Sequence, residues 1–324
     1  IDQGILLARF LARPDTGGHL VHAMQLPHPD AAAHEARYRA AGRLDLGTAQ
    51  VERQGAASVV TLSNRRSLNA EDDTTLDAME IAVDLAIADP QTRVCVLRGD
   101  PVEHPKYAGR RIFDAGINLT RLYNDRIPLL WYIERDLGFV NKMYRGLAHP
   151  DASPDETVGG TDEKVWIAGV DTFAIGGACQ ILLVCDWTVA GRDAFLTLPA
   201  RKEGIIPGAA NLRLPRFVGD RLARQAIMAE RRIEADSDVG RTICDDVVAA
   251  DAVDAGVGRA IERLTGSGVV SAASNRRALR LAAEPLDLFR RYMAVYCREQ
   301  ARCHYSPALI DNLERFWDAR NRRI

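Results

Sequence analysis

The sequence contains no apolar run approaching the ~18 residues that a membrane helix needs, so no membrane partner is expected. Neither sign of charge is in excess. Lys and Arg number 42 against 44 Asp and Glu, a net charge of −2, which gives no reason to expect nucleic acid as a partner. Basic pairs at 65–66, 110–111 and 231–232 are read mostly as solvated surface. Histidine is scarce too. The seven (His19, His22, His28, His34, His104, His149, His304) form no facial-triad pattern, and His19 with His22 reads as a surface pair at helical spacing. G-x-G-x-x-G and C-x-x-C are both missing, so neither a dinucleotide fingerprint nor a redox dithiol is present. None of these patterns offers a metal or organic-cofactor motif. Six cysteines lie scattered, mostly in apolar runs, as suits reduced thiols in a cytoplasmic protein rather than a disulfide framework. The chain starts at Ile1, so upstream residues are expected and a secretory leader among them is not. There is no internal repeat and no low-complexity tract.

What remains is an ordinary globular composition, 47% apolar and 27% charged over 324 residues, enough for one large domain with appendages or for two domains. Residues 1–47 read as helical, broken by Pro14, Gly17-Gly18 and Pro27. From about 51 the pattern changes. Residues 57–62 (A-S-V-V-T-L) and 94–97 (V-C-V-L) read as strands, with Arg98-Gly99-Asp100 as a turn and 73–88 as a helix. Residues 127–147 read as one long helix, 148–162 as a loop, and 165–170 and 181–189 as buried strands or a strand–helix pair. The stretches 221–263 and 271–320 read almost entirely as helix. The expected division is a helical segment at 1–50, an α/β core at 51–245 and a helical region at 246–324.

Two segments put glycine between apolar residues in a strand-to-helix setting: 113–119 (F-D-A-G-I-N-L) and 174–180 (A-I-G-G-A-C-Q). Glycine there permits tight turns and leaves backbone N–H groups free at a helix start, where partial positive charge collects. Two converging N–H groups would stabilise charge on a carbonyl oxygen. A turn or close packing accounts for either motif taken alone.

Together with V-C-V-L-R-G-D, C-D-W-T-V-A and G-I-I-P-G-A-A-N-L-R-L-P-R, these motifs follow the order and spacing of the crotonase (enoyl-CoA hydratase/isomerase) superfamily, which the chain resembles over about 51–245. The resemblance implies an α/β fold of repeated ββα units and an acyl-CoA thioester as substrate. It implies assembly as trimers or hexamers (dimers of trimers). By motif position the oxyanion-hole N–H groups would be those of Ile117 and Gly177, flanked by Ala115, Gly116, Asn118, Ile175 and Gly176.

The departures from the hydratase pattern are informative. Where a hydratase carries its two glutamates this sequence has Gln180 and Ala200, and neither an amide nor a methyl group does carboxylate chemistry. The runs 66–73, 104–119, 134–139 and 202–214 resemble an oxygen-using branch of the superfamily that works without metal or organic cofactor, in glycopeptide-antibiotic precursor synthesis, and that also carries an added helical N-terminal segment. That resemblance implies a dioxygenase taking an aryl-acetyl-CoA thioester and O2, namely (3,5-dihydroxyphenyl)acetyl-CoA, to 3,5-dihydroxyphenylglyoxylate and CoA. It puts Glu71, His104, Arg135 and Gln180 near the substrate, with Arg135 and Glu71 hydrogen-bonding the ring hydroxyls. Ile205, Ile206, Pro207 and Ala200 would wall a dry O2 pocket, and Arg65 or Arg66 would meet the CoA phosphates. The bland readings differ. E-R-D at 134–136 suits a solvated helix face, Glu71 an ordinary first-turn acid, and His104 a surface loop. Phe289, Tyr292 and Tyr296 read as core packing, or as a cover over CoA or a subunit interface. An isomerase or thioesterase forming the same enolate, and an inactive acyl-CoA-binding protein, are the alternatives.

Overall fold

A computed structural model describes residues 1–107 and 109–323. The chain opens with three helices, α1 (Asp2–Ala12), α2 (Pro14–Gln25) and α3 (Ala31–Ala41), followed by strands β1 (Arg43–Asp45), β2 (Ala49–Gln54) and β3 (Ala57–Leu62). Then come α4 (Leu76–Ala88), β4 (Val94–Gly99), α5 (Leu119–Tyr123), α6 (Leu129–Leu137) and α7 (Phe139–Arg145). The short pair β5 (Leu147–Ala148) and β6 (Thr161–Asp162) precedes β7 (Val165–Val170), β8 (Phe173–Ile175), α8 (Gly177–Leu182), β9 (Trp187–Gly191) and β10 (Phe195–Thr197). The remainder is α9 (Ala200–Glu203), α10 (Ala210–Ala229), β11 (Ile233–Glu234), β12 (Asp246–Val248), α11 (Val253–Thr265), α12 (Val269–Ala283), α13 (Leu286–His304) and α14 (Pro307–Trp317).

The main sheet runs β1-β2-β3-β4-β7-β9-β12. It is antiparallel at β1-β2-β3 and parallel from β3 onward. Side chains alternate across a strand. Val59, Val94, Val96, Val165, Ile167 and Val189 therefore pack with Val253, Val257 and Ala260 of α11, while Val60, Cys95, Leu97, Trp166 and Ala168 face the larger core with α4. Covering both faces is what a parallel sheet of continuous apolar strands requires. A smaller sheet, β11-β10-β8, stands beside it and carries the second glycine motif at its β8 end.

Several sequence expectations need correction. Gly17-Gly18 does not break α2. A Cβ at Gly17 would lie 2.8 Å from Leu11 O and 2.9 Å from Arg290 Cδ, so that glycine serves the approach of α2 to α1 and α13. Residues 94–99 stay in β4 where a turn was expected from Arg98. The long helix at 127–147 is two helices, since Gly138 has non-helical backbone angles and a Cβ there would sit 2.5 Å from Glu134 O and 2.6 Å from a Glu80 oxygen. The stretch 221–263 is not all helix. It contains β11 and β12, two- and three-residue strands that exist only because β10 and β9 are there to pair with.

A buried ionic cluster fastens the C-terminal helices. Glu284, fully buried after α12, accepts from Arg213 (3.0 and 2.9 Å), Arg216 (2.9 Å) and Arg145 (3.1 Å). Burial opposes the Glu284 charge, but the arginines outweigh it and hold the carboxyl down to about 2 from an ordinary 4.5. Because the folded value lies below the unfolded one, this stabilisation is complete above pH ~4.5 and is lost as pH falls toward 2. Urea midpoints between pH 6 and pH 3 should show wild type losing stability faster than Glu284→Gln; parallel curves would refute the assignment.

Candidate functional site

Loops and helix ends from six parts of the chain converge on one cavity of about 30 Å³, lined among others by Glu71, Ile117, Arg135, Gly177, Gln180 and Glu203. That space holds a water or a diatomic gas but no aromatic ring, so a larger ligand enters only when side chains at its opening move.

The loop after β3 brings Glu71. Leu68 and Asn69 both sit in the left-handed region, and the Asn69 amide holds the turn by donating to Asp100 O and Ile112 O, each at 2.8 Å. Glu71 then pairs with Ile117 as a short parallel bridge: Glu71 N donates to Gly116 O and Asn118 N to Glu71 O, both 2.8 Å. In that pattern the N–H of Ile117 points away from Glu71, and among the described residues it makes no backbone hydrogen bond. Gly116 makes the bend, with φ +77° and no room for a side chain, since a Cβ would fall 2.6 Å from Ile175 O. Its N–H is held by Asp114 Oδ1 at 2.6 Å.

Gly176, at φ +57° and ψ −110°, turns β8 into α8, a conformation open to glycine alone. Gly177 is the first residue of that helix, where N–H groups have no intrahelical partner. Ile117 and Gly177 both line the cavity, and among the described residues neither backbone N–H makes a backbone hydrogen bond; two such donors aimed at one point would stabilise an oxyanion.

Arg135, on α6, is the hub. It is 3% exposed and donates from Nε and Nη2 to the two Glu71 oxygens (2.6 and 2.7 Å), from Nη1 to Asp136 (2.9 Å) and Gln180 Oε1 (2.8 Å), and from Nη2 to Gly177 O (3.0 Å). A guanidinium has five N–H donors, and all five are occupied. The solvated-face reading of E-R-D is overturned. Ring hydroxyls find no free donor on Arg135, whose visible work is to orient Glu71, Gln180 and the Gly177 peptide. Burial opposes its charge, but Glu71, Asp136 and Asp114 keep it firmly protonated. Behind Glu71, Asp114 is pushed well up, by burial first and then by the Glu71 charge.

The glycine at 177 now has a second cause. A Cβ there would collide with Glu71 Oε1 and lie 3.1 Å from Arg135 Nη2, so the ion pair itself requires a bare backbone. Ile205, Ile206 and Pro207 line the cavity, and Ile206 N donates to Gln300 Oε1 of α13 at 2.9 Å. Tyr296 of α13 joins them. Ala200 is buried beneath, outside the lining.

Other expected residues are elsewhere. His104 is exposed, its ring 5.5 Å from that of Tyr107. Arg65 is 48% exposed and pairs with Asp100 at 2.6 Å. Asn118 caps α5, accepting from Arg121 N at 3.3 Å and donating to Asp72 at 2.9 Å. Ala115 and Ile175 pack with Phe173 and Phe195.

Sequence reasoning gave no role to Glu203, Trp131, Tyr132 or Asp136, yet all four line the cavity. Trp131 Nε1, Tyr132 Oη and Asp136 Oδ2 have no hydrogen-bond partner among the described residues. The i, i+1, i+4, i+5 spacing of 131, 132, 135 and 136 on one helix face was the available signal. Among the described residues no group of three or more His, Cys, Asp or Glu is placed to hold a metal, and no helix is long and apolar enough to cross a membrane.

The sequence pattern of the enoyl-CoA hydratase/isomerase family matches residues 160–294. A (3,5-dihydroxyphenyl)acetyl-CoA 1,2-dioxygenase of Amycolatopsis orientalis is 44% identical over 317 residues, covering 98% of this chain and 71% of that protein. A short-chain-enoyl-CoA hydratase of Clostridium acetobutylicum is 31% identical over 196 residues, 60% of this chain and 66% of that one. Among solved structures, an enoyl-CoA hydratase/isomerase from Xanthobacter autotrophicus Py2 superposes with a TM-score of 0.68 at 22% identity, over 85% of this chain and 96% of that chain.

Proposed function

The chain belongs to the enoyl-CoA hydratase/isomerase (crotonase) family, and from that premise we propose that it is a dioxygenase needing no metal or organic cofactor, which converts (3,5-dihydroxyphenyl)acetyl-CoA and O2 to 3,5-dihydroxyphenylglyoxylate and CoA. One feature supports this reading above others. The cavity offers two backbone N–H groups, of Ile117 and Gly177, beside an amide at Gln180, so it is equipped to hold a thioester enolate. The relative from Amycolatopsis orientalis supplies the substrate named here.

In the proposed reaction the carbon between ring and thioester loses a proton, and its C–H electron pair becomes the enolate, with charge on the thioester oxygen. The enolate passes one electron to O2, and the two radicals recombine to a C–O bond, leaving a peroxide anion. That anion adds to the thioester carbonyl and expels CoA thiolate. Loss of the second proton from the same carbon then forms the ketone as the O–O bond breaks, its electrons going to the carboxylate. Both oxygen atoms enter the product and no external reductant is needed.

An oxygen electrode with this thioester and a chelator, with free thiol followed in parallel, tests the reading. One O2 consumed per CoA released is expected, and thiol release without O2 uptake would instead mean a thioesterase. Neither signal despite tight binding would mean an inactive acyl-CoA binder.

A further inference from the structure

The proposed reaction needs a base, and none of the residues discussed so far supplies one. Glu71 is clamped at both oxygens by Arg135. Asp136 gives one oxygen to the same guanidinium, burial raises its carboxyl despite that contact, and its other oxygen faces Gly208 rather than the Gly176–Gly177 turn. Gln180 is an amide, and no histidine lines the cavity among the described residues.

Glu203 differs in each respect. It is the last residue of α9, ended by Gly204 in the left-handed region, and it is 9% exposed. Its oxygens lie 3.8 and 3.9 Å from where a Cβ on Gly176 would stand, beside the turn that presents the Gly177 N–H. It shares the cavity with Ile117 and Gly177. Among the described residues no cation or hydrogen-bond donor holds its side chain.

We infer that Glu203 is the base that takes the proton from the carbon between the ring and the thioester, an assignment that rests on the proposed reaction. The proton moves to a Glu203 oxygen and the C–H pair stays with the substrate as the enolate, held by Ile117 and Gly177. Proton count and charge balance. Carboxylate and neutral thioester become carboxylic acid and enolate.

The surroundings tune the group for this work. Burial, and secondarily the charge of Glu230, raises Glu203 to about 7 from 4.5, so the acid–base pair is poised near neutrality. Glu230 is itself paired with Arg201 (3.2 Å) and Lys202 (2.5 Å). The other charged and titratable groups lining the cavity are Glu71, Tyr132, Asp136, Tyr296 and the occupied Arg135.

The test separates enolisation from oxygenation. The thioester is incubated in D2O without O2, and deuterium entry at the acidic carbon is followed by mass spectrometry. Wild type should exchange, with a rate that falls as pH drops below about 7. Glu203→Gln should exchange about 10²- to 10⁴-fold more slowly, with no such pH dependence and with substrate binding retained. Glu203→Asp, which keeps a carboxylate one methylene shorter, should recover part of the rate and guards against a misfolded Gln variant. Exchange by folded Glu203→Gln at the wild-type rate, or its loss in Asp136→Asn alone, overturns the inference. Exchange by wild type without O2 uptake in air overturns the dioxygenase reading and leaves Glu203 to be judged by its own variants. A wild type that neither exchanges nor consumes O2 overturns both.

Discussion

Replacing Arg135 by methionine is expected to lower the unfolding free energy by about 3–5 kcal/mol, the cost of stripping one partner from a buried ion pair. Two carboxylates are bonded to that guanidinium. Glu71 and Asp136 are each 2% exposed, and neither has another cation bonded to it among the described residues. Without Arg135 they must take up protons or admit water, and the bridge that aims the Ile117 N–H loosens with Glu71. Lysine is no substitute, because an ammonium cannot match the bidentate grip on Glu71 while also reaching Gln180 and Gly177 O. Urea denaturation reads the stability loss. The double variant Arg135→Met with Glu71→Gln should regain part of it by removing one orphaned charge, yet should remain inactive in O2 uptake. An unchanged midpoint for Arg135→Met would refute the hub assignment, and an active double variant would show that the pair serves stability alone.

Gly177→Ala is expected to cut turnover about 10²- to 10³-fold, the usual cost of losing one oxyanion-hole donor. The added methyl has nowhere to go. Glu71 Oε1 occupies its position, Arg135 Nη2 is 3.1 Å away, and both are locked in the hub rather than being flexible tips. Either the ion pair retreats or the first turn of α8 moves, and both displace the N–H that would meet the thioester oxygen. The turnover number should therefore fall while affinity for an unreactive thioester analogue changes only a few-fold. A variant with wild-type turnover would mean that the Gly177 N–H is not in the site.

Where the fold was legible, one segment carried its own signal. The strands at 57–62, 94–97 and 165–170 are short β-branched runs whose pattern holds whatever they pair with. The two glycine turns were legible because their backbone angles exclude other residues. Illegible features depended on distant partners. β11 and β12 are too short to announce themselves, and the lack of room for a side chain at Gly138 comes partly from Glu80, far earlier in the chain. Arg135 looked like surface because E-R-D is locally the pattern of surface, while its decisive partner Glu71 lies 64 residues away.

The amino-acid sequence by itself determined the elements and the two bare-backbone turns, since strand propensity and glycine conformation are properties of neighbouring residues. It also determined what chemistry is excluded at Gln180 and Ala200. Only the tertiary structure decided which groups are free to act. It tied up all five donors of Arg135 and left Glu203 beside Gly176 with no partner among the described residues. The reason is physical: whether an ionisable side chain is clamped or available depends on burial and on charges brought close by folding. A one-dimensional pattern carries neither.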